Sequence, residues 1–152
     1  MGHITANFKM EKKVIVGCGV FIIKEGKILL GKRQKGSSHG SGTWCLPGGS
    51  LEFGETFDEF AKRETKEECG LEIGLMSQVA VTNNIFKDED IHSITLFFST
   101  NWIKGEPLVN EPDKIAQWNW FSWDNLPEPL FLPLELLKKQ NFNPLLEKNP
   151  KE

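Results

Sequence analysis

The sequence of 152 residues contains no tyrosine, only two arginines (Arg33 and Arg63) among eighteen basic residues, and three cysteines. Cys18, Cys45 and Cys69 are odd in number and none belongs to a CxxC pair, so they offer neither a disulfide framework nor a zinc site, and reduced thiols are expected. Long apolar runs are also missing. The longest, Val14 to Ile23, is broken by Gly17 and Gly19 and falls short of the roughly 20 residues of a membrane span. The opening MGHITANFKMEKK has no apolar h-region, so the expected location is cytoplasmic, with no membrane partner. A net charge of −3 gives no basic footprint for a nucleic-acid polymer, and a polyanionic ligand would need local compensation.

The composition, 39% hydrophobic and 26% charged, is that of an ordinary globular protein. At this length one core is expected, with 1–152 as a single domain. Lys13 to Ile23 is rich in Val and Ile and reads as a strand; Lys24 to Lys27 is turn material, and Ile28 to Leu30 returns, a β-hairpin ending near Arg33. Gln34 to Gly42 and Gly105 to Lys114 are aperiodic loops able to border a pocket, and a short strand lies at Trp44 to Leu46. Thr56 or Asp58 caps a helix running to Cys69 and closed by Gly70. Leu71 to Val81, Ser93 to Trp102 and Trp118 to Ser122 read as strands, with Asn83-Asn84 and Lys87 to Asp90 as turns. A closing helix is expected over Leu132 to Gln140, followed by a fraying polar tail. The sum is a mixed α/β domain.

The chemistry concentrates in Arg63-Glu64-Thr65-Lys66-Glu67-Glu68-Cys69-Gly70. At about 100° per residue, Glu64, Glu67 and Glu68 share one helix face, and Ala61, Thr65 and Cys69 form an adjoining small, apolar arc that can meet the core. Three close carboxylates repel one another and call for a compensating cation. Carboxylate oxygens suit Mg²⁺ or Mn²⁺, ions that bridge proteins to phosphates. The helix thus points to metal-dependent phosphate chemistry.

Together with Gly49 and Glu55, this stretch resembles the signature of the Nudix hydrolase family, G-x5-E-x7-R-E-U-x-E-E-x-G-U, in which U is aliphatic. Gly49, Glu55, Arg63, Glu64, Glu67, Glu68, Gly70 and Leu71 match; Thr65 replaces the first aliphatic residue with a β-branched one of similar volume. The seven fixed positions would coincide by chance on the order of once in 10⁸ starting points. The resemblance implies an α/β/α sandwich with a mixed β-sheet and a loop-helix-loop signature spanning 49–71. It implies that Glu64, Glu67, Glu68 and the Gly48 carbonyl hold a divalent metal, with Glu111 a further candidate, and that Glu55 and Arg63 form an internal ion pair. Glu64, Glu67 and Glu68 are the expected catalytic carboxylates; the general base is left open among Glu67, Glu68 and Glu111.

Stretches around Leu30 to Arg33, Leu46 to Gly49, Leu51 to Thr56 and Trp118 to Leu134 look like the small MutT-related nucleoside triphosphate diphosphatases. That likeness implies a base pocket from Cys45, Leu46, Thr95, Leu132 and Pro133, a phosphate contact from Arg33, and a homodimer. Ser50 stands where such relatives often carry His. The expected reaction converts a nucleoside triphosphate, normal or oxidised, to monophosphate and pyrophosphate. The alternatives are another diphosphate (a nucleotide sugar, ADP-ribose or a prenyl diphosphate) or a non-catalytic nucleotide-binding module. Trp118, Trp120 and Trp123 are assigned to packing, and Gly40 to Gly42 to a flexible rim. His39 and His92 lack evident partners and are read as incidental.

Overall fold

A computed structural model of the chain describes residues 11–146, and the readings of the first ten residues and of the end of the polar tail lie outside them. The expected hairpin is present. β1 (Ile15–Lys24) turns through Glu25 and Gly26, at φ 50° and 75°, into β2 (Lys27–Arg33). Two successive residues at positive φ give the tight turn whose twist matches that of the flanking strands. The strands pair only beside the turn, at Ile23 with Ile28 and Lys24 with Lys27, and then part. β1 continues in parallel along β5 (Ile91–Trp102), which pairs antiparallel with β4 (Ile73–Phe86). β2 pairs with β6 (Ile115–Ser122) on one edge and with the two-residue β3 (Trp44–Cys45) on the other.

The central strands are apolar on both sides because a helix covers each face of the sheet, which is why β1 reads as a continuous Val/Ile run. Cys18, Val20 and Ile22 of β1 and Leu96 and Phe98 of β5 pack with Phe60, Ala61 and Cys69 of α1 (Phe57–Cys69). Phe21 and Phe97 point the other way, to Leu134 and Leu137 of α2 (Leu132–Lys139). The result is a six-stranded mixed sheet between two helices. Trp118 and Trp123 are buried in these two cores and Trp120 packs against the first, as expected.

Thr56, rather than Asp58, caps α1: its Oγ1 accepts the Glu59 N–H at 3.2 Å, while Asp58 pairs with Lys62 one turn on. Gly70 closes the helix in the left-handed conformation. Two expectations fail. Asn83 and Asn84 are not a turn but part of β4; Asn84 is fully buried, and its Nδ2 donates to the Ser93 carbonyl, Ser93 Oγ and Thr95 Oγ1 (2.9–3.2 Å) on β5. The cross-strand partners override the intrinsic turn preference of Asn. β6 begins at Ile115, ahead of Trp118, because Ile115 is itself buried in the core. The turn at 87–90 is where it was expected.

Candidate active site

Where β1 leaves β2, its free edge is taken up by the segment preceding α1. Cys18 N–H donates to the Gly49 carbonyl, Val20 N–H to that of Pro47, and Leu51 N–H to that of Val16, each at 2.9 Å. This fixes Gly48 and Gly49 beside the middle of α1. A Cβ on Gly48 would run into the backbone carbonyl of Cys18, so the close approach of the loop to β1 requires glycine there, and a Cβ on Gly49 would displace the Glu64 carboxylate. A cleft of about 590 Å³ opens over this junction. It is large enough for a nucleotide.

Glu64, Glu67 and Glu68 all line the cleft, with Gly48, Gly49 and, from the loop before β6, Glu111. Their surroundings differ. Glu68, 9% exposed, receives the Gly48 N–H at 3.2 Å and, among the described residues, forms no ion pair. Glu64 receives Arg63 Nη1 at 2.6 Å, and the more exposed Glu67 receives the same nitrogen at 3.2 Å. Glu111 pairs with Lys114 at 3.0 Å. The apolar arc meets the core as expected, with Phe60 and Glu68 buried beside Ala61, Thr65 and Cys69.

Arg63 and Glu55 form the expected pair in bidentate geometry, Nε to Oε2 at 2.6 Å and Nη2 to Oε1 at 2.7 Å. Nη2 also donates to the Ser50 carbonyl at 3.1 Å, so one guanidinium ties the loop to the helix. Those hydrogen bonds hold the Glu55 carboxyl at about 2, and Glu55 raises the Arg63 guanidinium in turn. Burial pushes Glu64 up in spite of Arg63. Burial, reinforced by the charges of Glu64 and Glu111 and opposed by the Gly48 N–H and Arg33, pushes Glu68 up to about 8.

The outer wall carries Cys45, Leu46, Thr95 and Pro133, as expected, together with Arg33. Burial pushes the Cys45 and Cys18 thiols up to about 12, so they present neutral apolar surface rather than a nucleophile. Leu132 is not on this wall. As the first residue of α2 it faces a separate shallow recess beside Ile85 to Glu89, and the helical turn brings Phe131, Pro133 and Leu134 into the cleft instead. Lys114 and His39 are among the lining residues that the expected site does not include. Lys114 could have been found from its i, i+3 spacing to Glu111. His39 could not, because its partner Glu89, 2.6 Å away, lies 50 positions downstream. Nor is the 40–42 segment a loose rim: Gly40 N–H donates to Glu89 and Ser41 Oγ accepts the Gly36 N–H. His92 bonds Asn83 outside the cleft.

A family model described as the NUDIX domain matches residues 13–142. The chain belongs to the Nudix family. An oxidized purine nucleoside triphosphate hydrolase of Danio rerio is 30% identical over 129 residues, covering 80% of this chain and 79% of its own. An ADP-ribose pyrophosphatase of Methanocaldococcus jannaschii is 36% identical over 117 residues, covering 77% and 67%. The crystal structure of a MutT Nudix hydrolase from Burkholderia pseudomallei superposes with a TM-score of 0.72 at 34% identity, covering 78% of this chain and 91% of that one. The chain is therefore a Nudix pyrophosphohydrolase. Among its described residues no helix is long and apolar enough to cross a membrane.

Nudix hydrolases generally use divalent metal ions. Among the described residues no three His, Cys, Asp or Glu side chains stand as a finished ligand shell, since Glu64 and Glu67 are turned to Arg63. The donor chemistry nonetheless fits a hard cation: the groups are all oxygens, and Glu68 is a buried carboxylate with acidic neighbours and no paired cation among the described residues.

The raised Glu68 carboxyl sets a pH dependence. Between its ordinary value of 4.5 and about 8 the folded chain keeps a proton that the unfolded chain has released, so stability falls as pH rises across that interval. Glu55 acts oppositely and lower, losing its contribution as pH falls from 4.5 toward 2. The metal-free protein is expected to lose on the order of a few kcal/mol between about pH 5 and 8, and Glu68→Gln to flatten that slope. Melting temperatures across this range check it; an unchanged slope in the variant contradicts the raised Glu68 carboxyl.

Proposed function

We propose that this Nudix hydrolase cleaves a nucleoside triphosphate, normal or oxidised, to the monophosphate and pyrophosphate. One observation carries the reading. The carboxylate face of α1 and an outer wall made of Cys45, Leu46, Thr95 and Pro133, with Arg33 among them, border one cleft of nucleotide size, so a phosphate chain and a flat base have separate places in it. The name of the zebrafish relative supports the same substrate class.

Glu64, Glu67 and Glu68 with the Gly48 carbonyl would hold Mg²⁺ or Mn²⁺, with Glu111, which lines the same cleft, a further ligand candidate. The ion, when bound, neutralises phosphate charge and lowers the pKa of an attacking water. Arg63 keeps loop and helix in register through Glu55 and the Ser50 carbonyl. Glu67, Glu68 and Glu111, which all line the cleft, are the candidate general bases for the water that attacks an inner phosphorus. Arg33 contacts the phosphate chain through its Nη nitrogens, of which Nη1 has the weak acceptor Cys45 Sγ at 4.0 Å, and the buried thiol of Cys45 with Leu46, Thr95 and Pro133 shelters the base.

The test is a nucleotide panel with magnesium or manganese and product analysis. Pyrophosphate and a monophosphate are expected from one or more nucleoside triphosphates. Orthophosphate as the only inorganic product, or no turnover of any triphosphate, overturns the reading. A second reading, ADP-ribose hydrolysis to AMP and ribose 5-phosphate, is favoured by the 36% identity to the archaeal relative, and the same panel separates the two. The resemblance to the MutT group supports a single cytoplasmic domain over 1–152 that assembles as a homodimer.

A further inference from the structure

Glu89 lies in the turn between β4 and β5 and reaches across to the loop that follows β2. Its Oε1 accepts the Gly40 N–H at 2.8 Å, and its Oε2 is 2.6 Å from His39 Nδ1. The imidazole stands edge-on to Phe86 and Phe131, with ring centres 4.4 and 5.0 Å away. The backbone carbonyl of His39 in turn accepts from Arg33 Nε at 2.8 Å, and the guanidinium lies over Phe131, 4.7 Å from the ring centre. Gly40, at φ 63°, passes so close to these groups that a Cβ would run into the Phe131 ring and crowd Arg33 Nε. Carboxylate, imidazole, phenyl ring and guanidinium therefore form one packed unit at the mouth of the cleft.

Arg33 uses Nε inside this unit. Its Nη1 is 4.0 Å from Cys45 Sγ, a weak acceptor, and among the described residues its Nη nitrogens have no carboxylate or carbonyl partner. An arginine side chain loses much rotamer freedom when it binds, so a scaffold that orders it beforehand strengthens whatever it contacts. We propose that Glu89 and His39 are positioning residues that hold the Arg33 guanidinium with its free Nη edge toward the substrate's phosphate chain. Glu89 touches no reacting atom. It acts by pinning residues 39 and 40, whose carbonyl and close-packed backbone set the angle of the guanidinium plane. The role rests on Arg33 being a phosphate contact, as proposed above.

Steady-state kinetics with dGTP and magnesium, followed by pyrophosphate release, tests it. Arg33→Ala is expected to raise KM about tenfold or more, the scale of one charge-assisted hydrogen bond. Glu89→Ala is expected to raise KM several-fold with a smaller change in kcat. Glu89→Gln, whose amide oxygen can still accept the Gly40 N–H, is expected to restore KM most of the way. The double variant Arg33→Ala with Glu89→Ala is expected to match Arg33→Ala alone, because a residue that acts through another adds nothing once the other is gone. His39→Ala, which removes the ring and leaves the Gly40 anchor, supplies a milder series should Glu89→Ala fail to fold. A wild-type KM in both Glu89→Ala and His39→Ala, or a double variant showing the full product of the single effects, overturns the positioning role while leaving Arg33 in place. An unchanged KM in Arg33→Ala overturns the reading of Arg33 and this proposal with it; no pyrophosphate from dGTP or from any other nucleoside triphosphate overturns the proposed function on which both rest.

Discussion

Replacing Glu67 by Gln is expected to lower kcat by about two to three orders of magnitude and to leave the melting temperature nearly unchanged. The separation of the two effects follows from position. The Glu67 side chain is 58% exposed, so an isosteric amide costs the fold little, yet it lines the cleft on the same helix face as Glu64 and Glu68. Its one ion-pair partner among the described residues, Arg63 Nη1, retains Glu64 at 2.6 Å when Glu67 loses its charge. What disappears is negative charge where a divalent ion and an attacking water need it. Stopped-assay kinetics at saturating metal, with thermal melts on the same samples, checks the pair of outcomes. Near-normal turnover would remove Glu67 from the metal and catalytic set.

Arg63→Ala is expected to act on both quantities: kcat/KM down more than tenfold and the melting temperature down by about 5 °C or more. This guanidinium is bidentate to Glu55, bonds the Ser50 carbonyl, and leans on Glu64 and Glu67. Without it the loop before α1 loses its tie to the helix, and Glu64 and Glu67 lose the cation they pair with. Arg63→Lys is expected to recover little, because a point ammonium cannot reproduce the planar fork that meets Glu55. Kinetics and melting of both variants check this; recovery of full activity by lysine would mean that charge alone, and not the fork, holds the loop.

Most of this architecture is legible in the sequence wherever the governing interactions are local. The capping oxygen of Thr56, the left-handed Gly70 and the helical spacing of Glu64, Glu67 and Glu68 act within a few residues of one another, and α1 appears where they place it. The hairpin between β1 and β2 is a local matter as well. What the sequence hides is long-range. Asn84 looks like a turn residue until Ser93 and Thr95 are brought beside it by the β4–β5 register. Leu132 looks like a wall residue until the start of α2 fixes its direction outward. His39 has no visible role until Glu89 arrives from the far side of the sheet. The cleft chemistry is therefore easier to read than its outer wall, because the carboxylates share one helix whereas the wall is gathered from β2, β3, β5, α2 and two loops.

The hydrogen bonds that join Cys18, Val20 and Val16 to Gly49, Pro47 and Leu51 make the segment before α1 an honorary strand of the central sheet. The half of the cavity proposed to handle phosphate is thereby tied into the hydrogen bonding of the central sheet, and remodelling it would disturb the sheet as well. The opposite half is gathered from side chains of β2, β3, β5, two loops and the first turn of α2, each replaceable separately. A lineage built on this plan can exchange its leaving group repeatedly while its hydrolytic chemistry stays the same, because the two halves answer to different mechanical constraints.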